Sequence, residues 1–139
     1  MTRFYDIDDA NAALPDLGLI LETLAAQRAE LVRIRDEVLA MHGDAEGAGG
    51  TGETVVAADD LRLARLRMQG LVDQMAAGVA RIEAQSITLR DITEGLVDFP
   101  ALVNGRQVWL CWKRGEGDIA FWHDLESGFG GRRPLSELA

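Results

Sequence analysis

The chain has 139 residues, an apolar fraction of 47% and a formal net charge of −9. That length predicts one domain over 1–139 with enough apolar residues for a core, and the charge argues against non-specific binding to nucleic acid or to anionic membranes. There is no run of about 18 apolar residues and no leader-like apolar region, so a cytoplasmic setting is expected, and the single Cys excludes an intrachain disulfide and a multi-Cys zinc site.

The acids crowd the first part of the chain. Residues 1–60 carry thirteen against four Arg, whereas residues 61–139 carry ten against ten basic residues. The opening FYDIDDANAALP predicts a short helix capped by Asp6 or Asp8. It should end near Leu14, because the residue before a proline is pushed out of the helical region. Pro15 then sits in the first turn of a second helix that runs to about Met41. Its stripe of Ile20, Leu24, Gln27, Leu31, Ile34, Val38 and Met41 follows three-four spacing and makes a wide apolar face.

Residues 43–58, GDAEGAGGTGETVVAA, are Gly-rich and without period, which predicts a mobile loop. No GKS/T follows, so a phosphate loop is not supported. A further helix starts at Asp59 or Asp60 and ends near Gln85. Leu61, Ala64, Met68, Leu71, Met75, Gly78 or Val79, and Ile82 form a coiled-coil-like seam. Two long helices joined by a loop should pack antiparallel, so residues 1–88 read as a helical hairpin. Gly70 and Gly78 cost helix propensity and read either as close approach or as tolerated drift. The broad stripe of the first long helix leaves apolar surface that a second copy would cover, and a homodimer is expected; the alternative is that the β-meander covers that face within one chain.

Residues 87–92, ITLRDI, lead from helix to sheet as a short strand or turn, and residues 89–139 read as a β-meander with a Gly/Arg-rich tail. Asn104-Gly105 between two alternating runs is a strong hairpin signal, because a type I′ turn needs positive φ at both positions. The turn fixes the register. Val103 faces Arg106, Ala101 faces Val108, Phe99 faces Leu110 and Val97 faces Trp112. The other face pairs Pro100 with Trp109, Asp98 with Cys111 and Leu96 with Lys113. Pro100 has no N–H, which predicts an edge strand. Residues 119–124, IAFWHD, form the third strand, and the loop before it allows two registers. One puts Ile119, Phe121 and His123 on the core face with Trp122 beside Cys111. The other brings His123 towards Cys111. The shared parity of Ile119 and Phe121 favours the first. The fold class is therefore α+β: a short N-terminal helix, a long antiparallel helical hairpin and a three-stranded antiparallel meander.

The chemistry-bearing residues concentrate in Gly95–Pro134, which holds all three Trp, the only Cys and the only Lys. The candidate ligand or partner face comprises Asp91, Asp98, Trp109, Cys111, Lys113, Glu116, Trp122, His123, Arg132 and Arg133. Asp98, Cys111, Glu116 and His123 supply the side-chain types that a divalent transition metal needs. Their spacing follows no known ligand pattern, Cys111 and His123 share a face only in the less favoured register, and a half-buried amphipathic surface is the favoured account of this face. The run Gly128–Arg133 reads either as an anion nest or as a turn.

FYDIDDANAALP, and above all LRDITEGLVDFPALVNGRQVWLCWKRGEGDIAFWHDLESGFGGRRP, resemble a small bacterial family, domain of unknown function 2203. The motif positions include Asp91, Asp98, Pro100, Cys111, Trp112, Glu116, Trp122, His123, Arg132 and Pro134, while Arg90 stands where the family is associated with Lys. The resemblance implies a fold and a site neighbourhood and no activity. Three functions compete. A non-enzymatic, oligomeric interaction module presenting its β-face is preferred. The alternative is a metal-binding or thiol-dependent enzyme built on Asp98, Cys111, Glu116 and His123. A third is a ligand-binding regulator holding a small anionic or aromatic molecule with Arg132, Arg133, Trp109 and Trp122.

Overall fold

The structure, a computed structural model, describes residues 2–47 and 51–138. Helix α1 spans Ile7–Gly47 and helix α2 spans Thr51–Glu83. A five-stranded antiparallel sheet follows: β1 Thr88–Asp91, β2 Leu96–Val103, β3 Arg106–Lys113, β4 Phe121–His123 and β5 Arg133–Pro134, in the order β1-β2-β3-β4-β5. The fold is α+β with a helical hairpin, but the meander has five strands where three were expected. Compactness divides the chain into two units, Met1–Ala25 with Gly78–Ala139, and Ala26–Ala77.

The expected short first helix is part of α1. Asp6 Oδ1 accepts the Asp9 N–H at 2.7 Å and caps the start, and Asp8 and Asp9 complement the helix dipole. Pro15 lies inside the helix and does not begin a new one. A proline there costs about 3 kcal/mol. Leu17, Ile20, Leu21 and Leu24 are buried just beyond it. At roughly 1.5–3 kcal/mol for each buried aliphatic side chain, their burial outweighs that loss. The expected loop over 43–58 is also cut back: α1 runs to Gly47 and α2 starts at Thr51, while residues 48–50 lie outside those described. Among the described residues no helix is long and apolar enough to cross a membrane.

Within the unit Ala26–Ala77 the helices run antiparallel, since Gln27 bonds Gln74 and Glu30 bonds Arg67. Ile34 and Ala64 are buried there, and Leu31, Val38, Leu61, Met68, Leu71 and Met75 are half-buried, so both expected stripes form the seam. The two helical glycines differ. A Cβ on Gly78, in the other unit, would lie 2.9 Å from Leu24 Cδ2, whereas one on Gly70 would meet nothing within 4 Å. Close approach explains Gly78 only.

The sheet unit holds the main core. The expected β2–β3 register is present in full, from Val103↔Arg106 to Leu96↔Lys113. Asn104 (φ 53°) and Gly105 (φ 78°) are both in the left-handed region that the type I′ turn requires. Val97, Phe99, Ala101, Val108, Leu110 and Trp112 are buried on one face. Tyr5 meets Phe99 edge-on at 5.1 Å between ring centroids, and its hydroxyl donates to the Gln85 carbonyl at 2.7 Å. The edge-strand expectation for β2 is corrected. β1 pairs with residues 96–98, so β2 is interior there. Pro100 lies beyond the reach of β1, and its carbonyl accepts the Tyr5 N–H at 2.8 Å.

Strand β4 takes the register that was not favoured. Trp109 pairs with His123, Leu110 with Trp122 and Cys111 with Phe121. Facing residues of an antiparallel pair share a face, so Trp122 joins the core side and His123 joins the side of Cys111 and Asp98. The parity argument failed because Ile119 is not in the strand. It precedes β4 in a loop, is buried, and donates its N–H to Asn11 Oδ1 at 2.7 Å. Trp122 fills the core and donates its indole N–H to the Pro134 carbonyl at 3.1 Å.

Candidate metal centre

Three adjacent strands bring three ligand types together on the sheet face opposite the apolar core. Asp98 comes from β2, Cys111 from β3 and His123 from β4. One ligand atom from each lies within 4.8 Å of the others, and all three residues are buried. Asp98 and His123 are the buried polar or charged residues of the described chain, each 2% exposed. Such groups carry a desolvation cost that needs a compensating partner.

The hydrogen bonds orient the set. His123 Nδ1 lies 2.8 Å from the Asp124 carbonyl oxygen, which can only accept, so Nδ1 carries a hydrogen. Nε2 is thereby turned to Asp98 Oδ1 at 2.9 Å. Arg90 Nε donates to the other carboxylate oxygen, Asp98 Oδ2, at 2.8 Å. An imidazole whose distal N–H is held by a backbone carbonyl is the usual outer arrangement around a metal-bound histidine. Burial pushes the Cys111 thiol up to about 12, and the negative charge of Asp98 adds to it, with Arg132 opposing. A thiol so raised is not a ready nucleophile at neutral pH, so the thiol-enzyme reading gains no support. A bound cation would reverse that balance, since a coordinating thiol is deprotonated outright.

The cluster floors a pocket of ≈ 250 Å³ whose wall includes Arg90, Leu96, Leu125, Glu126, Ser127, Gly128 and Phe129. Glu116, the fourth expected metal residue, is not in the cluster. Its carboxylate is gripped by Arg132 Nη1 at 3.0 Å and Nη2 at 2.9 Å, and by the Lys113 N–H at 2.7 Å. Burial pushes the Glu116 carboxyl up, but these bonds and the charges of Arg132 and Lys113 outweigh it and hold the group low. Arg132 also donates to the Cys111 carbonyl at 3.3 Å and stacks on Phe121 and Phe129, at 3.9 and 4.6 Å from their ring centroids. Its fork is committed to bracing the site's wall, so the anion-nest reading of 128–133 loses its main cation and the turn reading is favoured.

The other expected face residues do not converge. Trp109 is on the cluster's side of β3, with the Arg90 guanidinium 5.1 Å from its ring centroid. Trp122 is on the opposite side, where Arg133 stacks over it at 5.4 Å. Asp91 caps the β1–β2 turn by accepting the Glu94 N–H at 2.9 Å, and Lys113 Nζ pairs with Glu94 at 2.9 Å. Sequence reasoning missed Arg90 as a site residue. No sequence signal singled it out: Thr88 and Arg90 share parity, but the Thr88↔Asp98 pairing that brings this strand beside the cluster is visible only in the structure.

The model of an uncharacterised conserved protein family, DUF2203, matches residues 3–135. The chain belongs to this family. No curated protein and no solved structure matches it. The DUF2203 match covers every residue of the buried cluster and of the pocket wall.

Proposed function

We propose that Asp98, Cys111 and His123 bind one divalent transition metal, that zinc fits best, and that its fourth coordination position opens on the pocket. The observation that carries this reading is the convergence of a carboxylate, a thiol and an imidazole, all buried, with the histidine's far nitrogen already held by a backbone carbonyl. Tetrahedral zinc with bonds of about 2.0–2.3 Å needs ligand atoms roughly 3.3–3.5 Å apart. The present separations, up to 4.8 Å, require only side-chain adjustment. The mixed sulfur, nitrogen and oxygen set suits zinc better than a hard cation such as magnesium or calcium. Three protein ligands with an open position are the pattern of zinc that works on a small molecule, whereas structural zinc is closed by a fourth ligand. The role supported is metal-centred binding or chemistry on a small ligand.

Native mass spectrometry of the full chain incubated with zinc tests this directly. One zinc per chain is expected, removable by a chelator. Cys111→Ser and His123→Gln should each weaken zinc binding by more than the roughly 10–100-fold typical of losing an outer-shell partner. A chain that stays metal-free in excess zinc would sink the proposal.

A second reading, an oligomeric interaction module, rests on a separate observation. Leu39, Leu63, Leu66 and Val72 are 45–63% exposed on the helices of the Ala26–Ala77 unit. A homodimer covering them accounts for that exposure. Sedimentation should show a dimer, with Leu63→Glu/Leu66→Glu shifting it to monomer; a monomer at all concentrations removes this reading.

A further inference from the structure

Arg90 is the cation of the pocket, and it is placed by an irregularity. β1 and β2 pair through Leu89↔Val97 and Asp91↔Leu96, so the register shifts across Arg90 and leaves it without a partner opposite. Such shifts re-aim a side chain and recur next to functional sites. The guanidinium spends only Nε on Asp98 and leans on the Trp109 ring. Among the described residues its two terminal nitrogens have no hydrogen-bond partner, and its side chain is 43% exposed. Arg132, by contrast, has both terminal nitrogens engaged with Glu116.

A planar fork with two free donors matches a carboxylate. Charge and size narrow the choice. With a divalent ion held by the Asp98 carboxylate, the Cys111 thiolate and a neutral His123, the centre is neutral, and Arg90 adds one positive charge. Glu126 lies on the pocket wall and is exposed, which disfavours a multiply charged anion. The volume of ≈ 250 Å³ is below the usual range of about 300–1,000 Å³ for ligand pockets and equals about eight water volumes. Leu96, Leu125 and Phe129 give the wall an apolar stretch beside Ser127.

We propose that the site takes a small monocarboxylate with a short apolar body, its carboxylate held between the Arg90 fork and the open metal position. This rests on the metal reading above. The Arg90–Asp98 bond then has a second consequence: the residue that binds the ligand's charge also orients a metal ligand.

The test uses the full chain loaded with cobalt(II), whose thiolate charge-transfer band reports the Cys111 bond and whose visible bands report the open position. Butyrate and inorganic phosphate are titrated in parallel. Butyrate should change the visible bands saturably, and more tightly than phosphate. In Arg90→Gln its apparent affinity should fall by about 10- to 100-fold, the range for losing hydrogen bonds to a charged group. Arg90→Lys keeps a cation able to reach Asp98 but loses the fork, and should fall between the two. A charge-transfer band with no butyrate response, or a response unchanged in both variants, overturns this inference and leaves the metal site standing. A tighter response to phosphate overturns the carboxylate assignment. No charge-transfer band at all overturns both proposals.

Discussion

The two units handle charge in opposite ways. In Ala26–Ala77, Arg33 is bonded to Glu30 and Glu37, and Arg62 to Asp59, with every one of these side chains 38% exposed or more. In the sheet unit, Asp98 and His123 meet with side chains only 3% exposed. Exposed pairs cost little and contribute little, because water and salt screen them. Burying a polar pair gives up hydration that the contact between its members need not restore. An acidic chain has no shortage of surface for charges, so charge placed under the sheet's outer face calls for a reason beyond stability. The proposed cation between these side chains would supply one.

The sharpest way to break the comparison is Asp98→Leu. It leaves His123 Nε2 facing an apolar group and frees Arg90. Breaking a buried pair by removing one partner costs about 3–5 kcal/mol, so the urea midpoint of the metal-free protein should fall steeply. A shift within error would mean that the pair is solvated. The alkaline limb offers a second check. The Cys111 thiol is raised from 9.0 to about 12 in the fold, so between those values the folded chain holds a proton that the unfolded chain has lost. That contribution is complete below about 9 and is lost as pH rises through about 12. Cys111→Ala should flatten this part of the stability curve, leaving the raised Tyr5 hydroxyl to account for the rest. Zinc-loaded protein should lose this dependence too, since the thiolate is then the bound form.

Where the sequence was legible, local rules decided the structure. Asn104-Gly105 fixed a turn, the turn fixed eight cross-strand pairs, and those pairs put Asp98 beside Cys111. The seam residues of both helices were equally readable from three-four spacing. The site's third ligand was not. His123 reached the cluster only through the register of β4, which a seven-residue connection from Arg114 to Ala120 decides. That connection is shaped by a positive φ at Gly115, by Trp112 donating to the Gly117 carbonyl at 2.8 Å, and by the distant Asn11 holding Ile119. None of these leaves a period-two trace. β5 was missed because a strand of two residues carries too little alternation to detect, and β1, read as a short strand or turn over 87–92, had no legible pairing, so Arg90 was not assigned to the site. Pro15 misled because its local penalty was weighed without the burial that follows it.

Glycines sharpen the comparison at smaller magnitude. Gly95 has φ +66° and a Cβ there would lie 2.6 Å from Arg114 Cβ, so Gly95→Ala combines backbone strain with a clash and should destabilise by about 1–3 kcal/mol. Gly70 is helical with open space around it, and Gly70→Ala should stabilise by up to about 1 kcal/mol. The two substitutions are identical in chemistry and opposite in sign, and thermal melts of both variants measure the difference between a turn that positions Lys113 and Glu94 and a helix that tolerates drift.

The smallest expected effect is at Glu30. This carboxylate bonds Arg33 one turn on and reaches Arg67 on the other helix at 3.4 Å, the most connected acid of its unit among the described residues. Its carboxyl is held low by the Arg33 hydrogen bond first, with desolvation opposing and the charges of Arg33 and Arg67 helping. Connection is not the same as stabilisation here, since all three side chains stay in water. Glu30→Gln keeps the shape and removes the charge. Its urea midpoint should match that of the parent at both low and high salt. A clear drop at low salt that vanishes at high salt would mean that the helical unit does draw stability from its charges, and the contrast with the buried pair would then be one of degree. An unchanged midpoint at both leaves the sheet unit as the place where charge costs stability, and so as the place to look for what that cost supports.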